Sequence, residues 1–255
     1  MPGGLGGTGF STPFHAPLYT GPVIEYWDVE AVIALGLFDR ASVESILPEG
    51  LGPAGDPVLG ALWVGRYPFS TVGSYNEFLV AIQVLRGGEL GYYVPYIYVT
   101  NDAALAAGRE VLGAPKKLAE ITLERGVYST VLGAARRGYM EAVVEVRPEG
   151  YVEEPVIRSL LPEEGVDLYS IRSLPPAGES PGIAQLVHWK AFVHFARRPS
   201  GRISAMAGPA RVHLRGSLED PLDSLGLKAA EQGFYAVFDM QLKPVRVVGE
   251  WRIEP

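Results

Sequence analysis

The chain has 255 residues, 47% of them hydrophobic, with a formal net charge of -7 and no cysteine. That size and apolar content argue against a disordered chain and suit one large domain or two small ones. Acidic balance without a Lys/Arg cluster argues against nucleic acid and anionic membranes, and the missing thiols exclude disulfides, thiolate metal sites and cysteine nucleophiles.

The N-terminal stretch MPGGLGGTGFSTPFHAP has neither the charged nor the apolar region of a signal peptide. Its Gly/Pro content predicts a flexible lead-in over residues 1–20, ahead of a single domain over 21–255, and a cytoplasmic protein. The glycines at 3–7 lack the preceding strand that a phosphate loop needs. A short helix is expected over 41–47, after Asp39 and before Pro48. Short β-branched or aromatic runs between Gly/Pro turns then predict strands over 62–67, 78–85 and 90–99, with Arg86-Gly87-Gly88-Glu89 as a hairpin turn. A second helix is expected over 102–112 (DAALAAGREVL), capped by Asn101-Asp102 and stopped by Gly113. Further strands follow over 118–124, 127–134 and 139–146, with a turn at Arg136-Arg137-Gly138. Others are expected over 166–171, 183–196, 203–214, 234–242 and 245–253, and a third helix over 221–232. The loop at 174–182 (LPPAGESPG) reads as a connection within one domain. Eleven short strands and three helices of this kind predict a β-rich (α+β) domain, an antiparallel β-barrel or cone with a few flanking helices.

The stretch that bears on chemistry is GREVLGAPKK, residues 108–117. Pro115 forces extended chain after the helix stop, and the alternating run LAEITLERG then reads as a half-buried strand. Adjacent residues on a strand face opposite ways, so one of Lys116 and Lys117 faces the core. A buried amine is costly unless neutral or paired, and a neutral amine attacks carbonyl carbon. On spacing alone, the plainer reading is solvated charge at the start of a strand.

The surrounding residues go further. GREVLGAPKK resembles the lysine motif of the acetoacetate decarboxylase family, in which the first of two lysines after a proline forms an imine and a cationic neighbour activates the amine. Ser74-Tyr75-Asn76-Glu77 resembles that family's Tyr-x-Glu segment, and residues 92–102, 183–190, 208–211 and 234–242 resemble its other strands, so the likeness runs from about residue 21 onward. The resemblance implies Lys116 as the imine-forming lysine, Lys117 as its neighbour and Glu77 as a pocket carboxylate that orients or carries a proton. It also implies a small-molecule carbonyl substrate, no cofactor, no metal and a homo-oligomer. Two departures stand out. A family glutamate falls here at Leu62 or Trp63, and a family arginine falls where this chain has residues 28–30, Asp-Val-Glu. The pocket implied is less polar, suiting a cofactor-independent lyase with an altered substrate. The same lysine serves aldol condensation and dehydration in some relatives, and a non-catalytic binding barrel is the rival from another class.

Other residues weigh less. His188 and Lys190 share a strand face with Phe192 and His194 and could reach a cavity; the plainer reading is an exposed polar face opposite Trp189, Ala191, Val193 and Phe195. Tyr92, Tyr96 and Tyr98 read as one aromatic strand face, used for packing or to supply a proton. Arg109 and Glu110 read as structural ion-pair partners. The four histidines lack zinc-binding spacing.

Overall fold

The Gly87-Gly88 pair reverses the chain between strands β5 (Tyr75–Arg86) and β6 (Glu89–Val99), with Arg86 opposite Glu89. The structure, a computed structural model, describes residues 11–127 and 130–255. Before this hairpin run β1 (Ile24–Phe38), β2 (Gly52–Pro53), β3 (Val58–Tyr67) and β4 (Phe69–Ser70). After it come β7 (Lys116–Leu118), β8 (Glu120–Arg125), β9 (Val131–Arg137), β10 (Met140–Val146) and β11 (Gly150–Tyr151). The chain closes with β12 (Val166–Leu174), β13 (Gly182–Phe195), β14 (Ala205–Arg215) and β15 (Leu227–Ile253). Helices are short: α1 (Arg40–Glu44), α2 (Asp102–Ala107) and α3 (Glu154–Arg158).

The fold is β-rich, as expected from the turn spacing. Ladders run from β1 through β3, β5, β6, β12, β13 and β15 and return to β1, so seven strands pair in a closed ring. Two contacts in the sheet are parallel, β6 with β12 and β6 with β7. A second sheet, β8-β9-β10-β14, branches from the ring where β14 pairs with residues 232–236 of β15.

This arrangement makes two cores. Inward residues of the ring, among them Ile33, Trp63, Val94 and Trp189, form the first. Outward residues of β1, β3 and β5, including Val32, Leu62, Val64 and Phe78, meet Ile121, Val144 and Met140 of the second sheet in the other. Both faces of β1 are therefore buried. That explains why its run AVIALGLF, continuous rather than alternating, gives no strand signal: apolar runs of that kind fit a buried strand or a buried helix equally.

The structure corrects several expected elements. The helix expected over 221–232 is a single 3-10 turn, Leu222–Leu225, after which Gly226 takes a left-handed conformation and β15 begins. Lys228-Ala229-Ala230-Glu231 favours helix intrinsically, but pairing with β1 overrides that weak preference. The helix expected over 102–112 is α-helical only to Ala107; Gly108–Leu112 is a π-helical turn. α3 has no counterpart in the sequence reading, and the runs 234–242 and 245–253 are one strand. A bulge sets Val94-Pro95 against Ala81, so Tyr92 stays on the inner face while Tyr96 and Tyr98 turn to the outer one. The glycines at 3–7 and part of the strand expected over 127–134 lie outside the described residues. No described helix is long and apolar enough to cross a membrane.

Gly133 is where the second sheet touches the ring. A Cβ there would lie 2.4 Å from the Cβ of fully buried Val64. Gly133→Ala should therefore destabilise the protein by about 1–3 kcal/mol through overpacking. Thermal unfolding followed by circular dichroism checks this; an unchanged melting temperature refutes it.

Candidate active site

β7 is three residues long and adds to β6 in parallel, with Lys116 beside Ile97 and Lys117 beside Tyr98. Strand alternation then sends the two lysines to opposite faces. Lys116, 3% exposed, enters the ring; its Nζ lies 2.8 Å from Oε2 of Glu77, itself 5% exposed. Lys117 leaves on the outer side, where its Nζ donates to Asp220 Oδ1 at 2.6 Å and to the Glu219 carbonyl at 2.8 Å. The cationic neighbour expected beside Lys116 is thus turned away and occupied by a carboxylate.

The segment before β7 aims Lys116. Ser170 Oγ donates to the Leu112 carbonyl at 2.8 Å, and the Arg109 guanidinium to the Lys116 carbonyl at 3.2 Å, so both ends of the 112–116 connection are held. Glu110 accepts a 2.7 Å hydrogen bond from Tyr19, within the expected lead-in, so Arg109 and Glu110 serve separate partners. Gly108 clears the way for the lysine stem. A Cβ there would sit 2.5 Å from Lys116 Cδ and 2.6 Å from Cε.

Glu77 is fixed from its other oxygen. Tyr67 donates to Oε1 at 2.9 Å, and Trp63 Nε1 donates to the Tyr67 hydroxyl at 3.1 Å. Tyr75 stacks on Tyr67 with centroids 4.7 Å apart, donates to the Tyr26 hydroxyl at 3.0 Å and lays its ring 5.3 Å from Lys116 Nζ. Burial, and after it the charge of Glu77, pushes the Tyr67 and Tyr75 phenols well above their ordinary range. Both remain protonated donors. Tyr26, Tyr67 and the Trp63–Tyr67 relay are absent from the sequence reading. Their signal was the inward i, i+4 spacing of Trp63 and Tyr67, matched by the i, i+2 spacing of Tyr75 and Glu77.

Glu77 also lines a cavity of about 120 Å³ inside the ring. Its other walls are almost wholly apolar, including Trp63, Leu79, Leu168, Trp189 and Phe234. Of the pocket residues expected from sequence, Trp63 faces this cavity. Leu62, its neighbour, points into the outer core, because adjacent strand residues cannot share a wall. His188 and Lys190 also lie away from it: Asp167 takes His188 Nε2 at 2.5 Å and Lys190 Nζ at 3.4 Å, while Trp189 and Ala191 supply the cavity wall. The reading of 188 and 190 as the face opposite the core is the one the geometry supports. Among the described residues, no group of three His, Asp or Glu side chains gathers as a metal ion requires.

Residues 11–250 match the acetoacetate decarboxylase (ADC) family. The chain belongs to that family. An acetoacetate decarboxylase from Acidiphilium cryptum is 28% identical over 250 residues, covering 96% of both chains. The fold matches the crystal structure of acetoacetate decarboxylase from Legionella pneumophila, with a TM-score of 0.78, 23% identity and coverage of 95% of this chain and 94% of that one. It also matches the enduracididine biosynthesis enzyme MppR in complex with the condensation product of pyruvate and imidazole 4-carboxaldehyde, with a TM-score of 0.75, 19% identity and 99% coverage of both. Members of the family are lyases, and this chain is an enzyme of that class.

Two predictions come from this geometry. Gly108→Ala should displace the Lys116 amine while sparing the sheet, and a misplacement near 1 Å costs about 100-fold in rate. Steady-state kinetics beside a circular dichroism spectrum checks this; full activity refutes it. Asp220 is the second case. Burial raises its carboxyl, but hydrogen bonds from Lys117 and Tyr98 and the charges of Lys117 and Arg137 outweigh that and hold it below its ordinary value of 3.8. A folded value below the unfolded one stabilises the protein fully above the unfolded value, and that stability is lost as pH falls through the folded one. Asp220→Asn should therefore cost about 1–2 kcal/mol at neutral pH, its cationic partners being partly solvated, and flatten the acid limb of stability against pH. Denaturant melts across the acid range measure both, and an Asn variant with the parent's acid limb overturns the assignment.

Proposed function

We propose that the protein is a Schiff-base decarboxylase of a β-keto acid, with Lys116 as the covalent residue. One observation carries this: a buried amine held 2.8 Å from a buried carboxylate that itself lines an apolar cavity. Buried ion pairs contribute little to stability, because desolvation offsets attraction, so a pair whose carboxylate faces an apolar cavity points to chemistry.

In this reading the Lys116 proton passes to Glu77, and the neutral amine adds to the ketone carbon of the substrate. Loss of water gives a protonated imine. The bond between the carboxylate carbon and the α-carbon then breaks, its electron pair moves toward the imine nitrogen, and carbon dioxide leaves. Glu77, which returned its first proton to the departing water, takes up another from solvent and delivers it to the α-carbon of the enamine. Water then hydrolyses the imine, releasing a ketone and restoring Lys116. An apolar wall around the carboxylate favours this bond cleavage, since the charge it buries leaves as a neutral gas.

An aldol reading uses the same imine, which loses an α-proton to give an enamine that attacks an aldehyde. The fold relative MppR, whose complex holds a pyruvate condensation product, supports keeping it.

Borohydride reduction in the presence of acetoacetate or pyruvate should add mass to the peptide carrying Lys116 and to no other. Lys116→Ala should abolish the adduct, and Glu77→Gln should slow turnover by about 10²- to 10⁴-fold. An adduct on Lys117 or Lys190, or none with any carbonyl compound, refutes the proposal. Release of carbon dioxide without exchange of pyruvate methyl protons in heavy water selects decarboxylation; exchange without release selects aldol chemistry.

A further inference from the structure

The cavity has a direction. On β5 the inward residues after Glu77 are Leu79 and Ala81, and β3 sets Trp63 opposite Leu79 and Ala61 opposite Ala81. β1 adds Ile33 beside Trp63 and Leu35 beside Ala61. Inward residues along a strand are about 7 Å apart. The chamber therefore runs in layers away from the carboxylate that holds Lys116, and the layer at Ala61 and Ala81 is opened by two of the smallest side chains, facing each other across the ladder.

Most polar groups along this path are already engaged. The Trp63 indole donates to Tyr67, and the Tyr67 hydroxyl to Glu77. The Trp189 indole donates to Ser170 Oγ at 2.9 Å, outside the cavity wall, and the Tyr92 hydroxyl accepts from Gln83 at 3.1 Å. Glu77 is the sole ionisable carboxylate or base among the lining residues, and it sits at the Lys116 end. A hydroxyl or carboxylate placed at the Leu79 and Ala81 layers would leave water for walls that are apolar on β1, β3 and β5. The Tyr92 O–H is the one side-chain donor left open among the described lining residues, so such ligands are penalised.

We infer that the chamber selects the tail of the substrate: the protein acts on keto acids that bear an unsubstituted apolar chain of several carbons on the ketone, in preference to acetoacetate and to chains ending in a polar group. This rests on the imine reading for Lys116. The tail lies along the Leu79 and Ala81 layers while the ketone meets the amine. Each methylene moved from water into such a wall increases binding by about fourfold.

The test compares acetoacetate with homologues carrying propyl, pentyl and heptyl chains, and with a pentyl homologue ending in a hydroxyl group. In parallel, borohydride trapping on Lys116 is run as a competition between acetone and methyl pentyl ketone, which reads the chamber whichever reaction follows the imine. The expected result is a kcat/KM that climbs with chain length by up to about fourfold per methylene until the chamber is full, a loss of at least about tenfold on adding the terminal hydroxyl, and preferential trapping of the longer ketone. Ala81→Phe, or Ala61→Phe should the first variant fold poorly, should lower the heptyl-to-acetoacetate ratio sharply. Trapping on Lys116 that ignores the tail, or a flat or falling chain series, overturns the chamber assignment alone. No trapping with any carbonyl compound overturns the imine reading and this inference with it.

Discussion

An ammonium and a carboxylate 2.8 Å apart, both more than nine-tenths buried, set the conditions that the rest of this molecule meets. Removing each ion from water costs several kcal/mol, and their attraction repays it only with good geometry and further hydrogen bonds. The surroundings supply these. Tyr67 satisfies the second oxygen of Glu77, Trp63 orients Tyr67, and the Tyr75 ring lies against the amine. Around the pair, packing is dense enough that one methyl group at Gly108 would collide with the lysine stem.

The two adjacent lysines show how a strand divides labour. Both sit in a three-residue strand, and alternation alone decides that one meets Glu77 inside the ring and the other meets Asp220 outside it. Asp220 also receives Tyr98 at 2.8 Å and lies 3.4 Å from Arg137, so it ties β7, β6 and the second sheet together from the outer side. The inner lysine is thereby braced by the outer one, and a change on the outer face reaches the site through one residue of backbone.

Much of this was legible in the sequence, and the rest was hidden for definite reasons. Glycines marked the hairpins, and GREVLGAPKK marked the lysine, because turns and strand entries are local. β1 was illegible because both its faces are buried, which erases alternation. The segment 227–232 has helix-forming residues, but long-range pairing with β1 holds them as strand. The bulge opposite Ala81 could not be anticipated, and it parted Tyr92 from Tyr96 and Tyr98. Leu62 and Trp63 are both candidates for the pocket from sequence, and the period of two permits only one of them to face inward. His188 and Lys190 raised the same question of facing; Trp189 and Ala191 hold the inner positions instead. Tyr67 escaped notice because its role depends on Glu77, ten residues away in the chain and across a ladder.

β15 has 27 residues and serves three neighbours: β1 along its first part, β14 over a short middle stretch and β13 along the rest. It is the seam where the ring closes and also the root of the second sheet. A protein organised this way has little freedom to be divided. A break or an insertion within β15 would open the ring and detach the outer layer together, whereas the same event in the connection 175–181 would touch neither. Evolutionary change in length should accordingly collect at such loops, and an engineer seeking a new terminus or a fusion point has the same choice. The final quarter of the chain, which contributes only wall residues to the site, is what lets the earlier three quarters keep an enclosed space at all.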